Sequence, residues 1–298
     1  MRYSIAFAAA ALASSVSAHG VITQVQGANG VTMPGLSVID GTPRDSGNPL
    51  SGSEADTSII RTKEMGGKAS ALGRTQGGGA VDAAAAISTF MGGAGGAATG
   101  ATKGAAAKGA AAATKRGLLD ALTGGGKAAG GAGGAAAGTK TAKGTKEAGV
   151  AAAAGSGASQ GLPTTADDGT ITMTFHQVNQ DGAGPLTAAI DPTSAGTDPA
   201  AFQTAQVTQN VPGIGIGGLS AAAVVDFPVK VQMPQGMTCQ GSAGGAQNVC
   251  VVRLQNAALA GPFGGSAAFT QSTAAKKRAV EYNLRKRHFA RGILGKPE

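Results

Sequence analysis

The chain has no tryptophan, two tyrosines, two cysteines and three histidines in 298 residues. Each scarcity removes a class of protein. Two cysteines cannot build a disulfide-dense scaffold, and no second Cys/His pair stands at zinc spacing. Cys239 and Cys250 have ten residues between them and are read as one local disulfide of an exported chain. Closing so small a loop stabilises by roughly 2–3 kcal/mol. No Asn-x-Ser/Thr site occurs, so N-glycosylation is not expected. A serine or cysteine nucleophile motif is also missing, which argues against a classical hydrolase. The glycine run Gly213-Ile-Gly-Ile-Gly-Gly218 joins no βαβ unit and has no P-loop lysine after it; it is read as a flexible loop.

The formal charge of +8 suggests an anionic partner until its distribution is examined. Residues 92–160 carry eight Lys/Arg and two acids, and residues 276–298 carry eight and two again. The rest of the chain after residue 18 has seven basic and twelve acidic residues. An acidic body thus bears two basic appendages. Those appendages hold almost no aromatic stacking partners and match no recognition module, so nucleic acid is not an expected partner. Attraction to anionic wall polymers or a membrane surface remains compatible with them.

Five regions follow from composition. Residues 1–18 have Arg2, an apolar run from Ile5 to Leu12, then small residues ending Val16-Ser17-Ala18. This is the order of a cleavable signal peptide, and its apolar run is too short to anchor in a bilayer. Residues 19–91 are the first part of a β-sandwich. Residues 92–161 are read as a disordered insertion: 45 of residues 92–160 are Gly or Ala, too little side-chain volume for a core, with an Ala-rich helical patch near 105–122. Residues 162–272 resume the sandwich, and 273–298 form a basic tail with weakly amphipathic Val280, Leu284 and Phe289. Dibasic pairs at Lys115-Arg116 and Lys286-Arg287 sit in segments read as flexible, where a processing protease could cut. No C-terminal hydrophobic stretch calls for a lipid or transmembrane anchor.

Strand evidence is clearest over residues 170–178, where Ile171, Met173 and Phe175 alternate with Thr172, Thr174 and His176. Turn signals bracket this run on both sides. A second alternation, Val225 to Met233, contains Pro228, which favours an edge or a bulge. Cys250–Leu254, Ala267–Gln271 and Val21–Gln26 complete the set. Short strands between turns indicate an all-β, immunoglobulin-like antiparallel β-sandwich.

Cleavage after Ala18 makes His19 the first residue, with an α-amine and an imidazole on one residue. Two such nitrogens can chelate a transition metal, and imidazole suits copper. The two other histidines are His176 and His288. His176, on the polar face of a strand, is either a hydrogen-bonded sheet residue or the third nitrogen of a copper site.

The stretches Asp56-Thr-Ser-Ile-Ile-Arg61, Gly73-Arg-Thr, Phe175-His-Gln-Val-Asn-Gln-Asp-Gly-Ala-Gly-Pro185, Asn210-Val-Pro-Gly213 and Gly261-Pro-Phe-Gly-Gly265 resemble a family of secreted fungal proteins. These are the appressorium-specific, penetration-associated cell-surface virulence factors of pathogenic fungi. The resemblance spans nearly the whole chain after residue 18, and the insertion and basic tail are similar to those of its longer members. It implies secretion to the fungal cell surface and a link to host penetration. Other members carry more cysteines; Leu254 and Ser266 stand where this chain has lost them.

A second resemblance is architectural. His19-Gly20, a mid-chain histidine strand and a late Gly-Pro-Phe look similar to lytic polysaccharide monooxygenases. That likeness implies a histidine brace of copper on His19 and His176, with Phe263 on the axial face, and a polysaccharide or cell-wall polymer as partner. Gln271 or Gln177 would orient the oxygen species, and Asp181 is read as a turn residue. The alternative is a non-catalytic adhesive or wall-associated protein, favoured by the lack of surface aromatics. Phe263 would then be core packing.

Overall fold

A computed structural model describes residues 19–93, 137–180, 182–213, 220, 222–258 and 261–293. The expected leader, the bulk of the insertion with Lys115-Arg116, Asp181, read as a turn residue, and most of the glycine loop at 213–218 lie outside the described residues.

Thirteen strands run in chain order: β1 Gly20–Gln26, β2 Thr32–Pro34, β3 Ser58–Ile59, β4 Arg74–Thr75, β5 Gly79–Ala80, β6 Thr139–Lys140, β7 Thr170–Gln177, β8 Thr187–Asp191, β9 Gln203–Gln209, β10 Val225–Gln232, β11 Gly241–Ala243, β12 Ala246–Gln255 and β13 Phe263–Phe269. The helices are α1 Ala83–Phe90, α2 Gly149–Ala153, α3 Gly157–Gln160 and α4 Thr273–Ile293. All ladders between these strands are antiparallel, in the order β2-β1-β7-β10-β9-β8-β12-β13-β3-β4-β5, with β11 on β12 and β6 on β10. The immunoglobulin-like antiparallel β-sandwich read from the sequence is the observed class. It takes the form of one sheet that curls over itself, because β9 pairs with β10 on one side and β8 on the other.

The core between the layers is centred on Ile22, Met173, Phe175, Ile190, Leu254 and Phe269, all fully buried. On β7 the buried residues Ile171, Met173 and Phe175 repeat every second residue, which turns one face of the strand inward. Closure of β1 onto β13 depends on Gly265. A Cβ there would stand 2.7 Å from the Ile22 nitrogen, so no larger residue permits this approach. Pro228 interrupts β10 without breaking the sheet: β6 pairs with Val225 and Asp226, β9 pairs from Lys230 onward, and Pro228 falls in the gap between them. A missing N–H costs nothing where no partner strand is present.

Residues 137–161 were grouped with the low-complexity insertion, yet they are tied to the body. Strand β6 adds to β10, and Lys146 bridges Pro43. Glu147 accepts from Arg44, whose guanidinium is 4% exposed and also makes a two-point contact with Asp56, at 2.9 and 2.5 Å. Burial works against the charge on Arg44, but the two carboxylates outweigh it and hold its pKa above the ordinary value. Low mean side-chain volume does not prevent one strand and one ion pair from docking a segment. The disulfide joins Cys239 to Cys250 as read. Lys286-Arg287 lies within α4 rather than in a flexible segment, because Lys, Arg, Ala and Leu at 273–293 are good helix formers. No helix among the described residues is long and apolar enough to cross a membrane.

Candidate metal centre

Strand pairing brings the two ends of the candidate site together. In the β1/β7 ladder Val21 stands opposite His176 and Gly20 opposite Gln177. Val178 then donates its N–H to the His19 carbonyl at 3.0 Å, extending the ladder by one residue. His19 therefore lies diagonally across from His176, a spacing that long or aromatic side chains can span.

His176 shares a strand face with Thr172 and Thr174, yet is fully buried. Its other neighbour, β10, sets Asp226 directly opposite, and Asp226 Oδ1 lies 2.7 Å from His176 Nδ1. A carboxylate only accepts, so Nδ1 is the donor in this contact, and in the neutral imidazole the lone pair then lies on Nε2. Nε2 is buried and has no hydrogen-bond partner among the described residues. A histidine fixed at one ring nitrogen by a carboxylate, with the other nitrogen left over, is oriented as metal-binding histidines are.

His19 is 3% exposed and held from two directions. Its backbone nitrogen donates to Asn179 Oδ1 at 2.8 Å, and its ring Nδ1 is 3.2 Å from Glu54 Oε1. Asn179 Nδ2 donates to that same Glu54 oxygen at 2.9 Å, closing a small network. In the full-length chain this backbone nitrogen is a peptide amide; cleavage after Ala18 would make it an amine at the same place. Phe263 covers the imidazole, with ring centroids 4.4 Å apart and planes inclined by 37°. The start of β13 is pinned there by Asn256, whose Oδ1 accepts from the Phe263 N–H at 3.0 Å. Phe263 also packs with Ile59 and Ala258, so its packing role and its place against His19 coexist.

Among the described residues no group of three or more His, Cys, Asp or Glu side chains is arranged to hold a metal. A metal here would need the α-amine as a ligand. Gln177 is turned away from this role: its Nε2 donates to the carbonyls of Asn179 and Ala222. Gln271 is engaged near the disulfide, accepting from Cys239 N and donating to the Met237 carbonyl. Glu54, Asn179 and Asp226 were missed in the sequence. Asn179 lies inside the quoted Phe175–Pro185 stretch, and Asp226 is a polar residue beside Phe227 in an alternating strand; either could have been singled out. Nothing local marks Glu54.

A family model described as Egh16-like virulence factor matches residues 17–264. The chain is similar to the appressoria-specific virulence factor GAS2 of Pyricularia oryzae, with 60% identity over 295 residues, covering 98% of this chain and 97% of that protein. It is also similar to the appressoria-specific virulence factor GAS1 of Pyricularia oryzae, with 39% identity over 129 residues, covering 42% of this chain and 50% of that one. No solved structure matches.

Proposed function

We propose that this chain, which belongs to the Egh16-like virulence-factor family, is an exported cell-surface protein of host penetration that carries a copper site. The observation that supports the site most is His176: fully buried, fixed through Nδ1 by Asp226, with no partner for Nε2 among the described residues, diagonal to His19. The α-amine and one ring nitrogen of His19, with His176 Nε2, would hold the ion. Copper bound there would supply one-electron chemistry with oxygen or peroxide, directed at a polysaccharide or other wall polymer. The chain's own residues have separate tasks. Asp226 sets the His176 tautomer, Asn179 holds the His19 nitrogen, and Phe263 shields one face of the His19 ring from water. Nδ1 of His19, the ring nitrogen able to chelate with the α-amine, would exchange its contact with Glu54 for the ion.

The test has two stages. Mass spectrometry of the exported protein is expected to find His19 at its start. Copper titration with electron paramagnetic resonance is then expected to give a type-two signal that disappears in His176→Ala. A mature chain starting elsewhere, or a signal indifferent to His176, would overturn the site.

A second reading has its own support. His19, Glu54, His176 and Phe263 are each no more than 5% exposed, and Tyr282 is the one exposed aromatic among the large hydrophobic side chains described. A buried site without sugar-stacking rings suits a non-catalytic adhesive or wall-associated protein. A chain silent to copper, yet retained on wall polymer, would select that reading.

A further inference from the structure

Among the described residues four large hydrophobic side chains stand exposed: Leu50, Val280, Tyr282 and Leu284. Three of the four lie on α4. The same helix carries seven Lys/Arg and a single acid, Glu281. It therefore concentrates both positive charge and bare apolar surface on a body whose own balance is acidic.

The helix is held by little. Ala275 and Ala279, one turn apart, are buried, and Asn283 Nδ2 donates to the Gly236 carbonyl at 2.9 Å. From Leu284 to His288 every residue is exposed, so none of the described residues covers the helix there. Away from the docked alanines, Lys277, Val280, Leu284 and Arg287 follow at spacings of three and four. Such spacings place them along one ribbon of the helix.

We propose that this ribbon is a docking surface for an anionic lipid bilayer. Lys277 and Arg287 draw the helix to negative headgroups, while Val280 and Leu284 enter the boundary between headgroup and acyl chain. A water-soluble polyanion would neutralise the same charges but leave both aliphatic side chains in water, which is why the bilayer is the better match. The contact is interfacial, since no described helix is able to span a membrane. This inference is independent of the copper reading.

The experiment is co-sedimentation of the full exported chain with vesicles of phosphatidylcholine alone or mixed with phosphatidylserine, beside polygalacturonate as a soluble polyanion. Binding is expected to the mixed vesicles only, and to fall when salt is raised from about 0.1 M to about 1 M, which shortens the screening length from about 10 to about 3 Å. The double variant Val280→Ser/Leu284→Ser is expected to bind the mixed vesicles roughly tenfold less well, with circular dichroism unchanged because both side chains face solvent. Lys277→Glu/Arg287→Glu is expected to lose at least as much. Wild-type binding by the serine variant, equal binding to both vesicle types, or retention on polygalacturonate with none on vesicles would each overturn the proposal.

Discussion

Replacing Asp226 by asparagine probes the candidate centre through a residue that would not itself touch the metal. In the native chain the carboxylate at 2.7 Å leaves Nδ1 of His176 one role, that of donor. An amide can donate or accept, so in Asp226→Asn the proton is free to move to Nε2 and block the lone pair a metal requires. Loss of such a supporting carboxylate costs about 10–100-fold in metal affinity. The side chain of Asp226 is 38% exposed, so water replaces part of what is lost, and the lower end of that range applies. The expected change is therefore about tenfold in copper Kd, near 1.4 kcal/mol. Global stability should fall by no more than about 1 kcal/mol, since one half-solvated hydrogen bond is removed. Competition titration against a chelator on the mature chain reads the first number, and urea unfolding of the metal-free chain reads the second. A copper Kd within about twofold of wild type, with an intact fold, would show that Asp226 does not orient a ligand. His176 would then be a buried sheet histidine and nothing more.

Further predictions concern the frame around that site. Asp56→Ala leaves the Arg44 guanidinium buried with only Glu147 as a counter-charge, and should cost about 3–5 kcal/mol in urea unfolding; a cost under about 1 kcal/mol would mean that Arg44 turns to solvent. Phe263→Ala removes a buried ring from against His19 and should cost about 3–5 kcal/mol, with weaker copper binding as the readout that packing alone would not move. Burial pushes the Asp191 carboxyl up, but hydrogen bonds from Ser194, Thr193 and Gly196 outweigh it and hold its pKa below the ordinary value. Its contribution is thus present above the unfolded Asp pKa of about 3.9 and lost as pH falls through the lower folded value. Asp191→Asn should accordingly be destabilised at neutral pH, with the gap to wild type closing in strong acid. A gap that is constant with pH would refute the ionic origin. Cys239→Ser/Cys250→Ser should lose roughly 2–3 kcal/mol in the same assay.

How much of this was legible in the chain depends on the range of the interaction. Strand β7 was readable because side-chain alternation is a local property: Ile171, Met173 and Phe175 announce a buried face without reference to any neighbour. The disulfide was readable because two cysteines in a chain read as exported leave one pairing. Composition misjudged residues 137–161 because it averages over a segment, whereas docking turned on particular contacts, Thr139 and Lys140 against β10 and Glu147 against Arg44. Helix α4 was foreseen only as a weak tendency in a tail, since propensity indicates that a helix can form but not that Ala275 and Ala279 will seat it.

The candidate site divides along the same line. Its histidines and Phe263 could be picked from the sequence, because an expected leader ending at Ala18 and the rarity of imidazole and ring side chains leave few choices. Their supporting residues could not: Glu54 lies 35 positions from His19 and Asp226 lies 50 from His176. Chain order carries residue type and local period, and these determined β1, β7, β10, β12 and β13, the fold class and the short roster of nitrogen donors. Register between distant strands is a property of the closed sheet. It alone decided that His176 would meet Asp226, that His19 would sit diagonal to it under Phe263, and that one ring nitrogen would be left in the interior with no partner among the described residues.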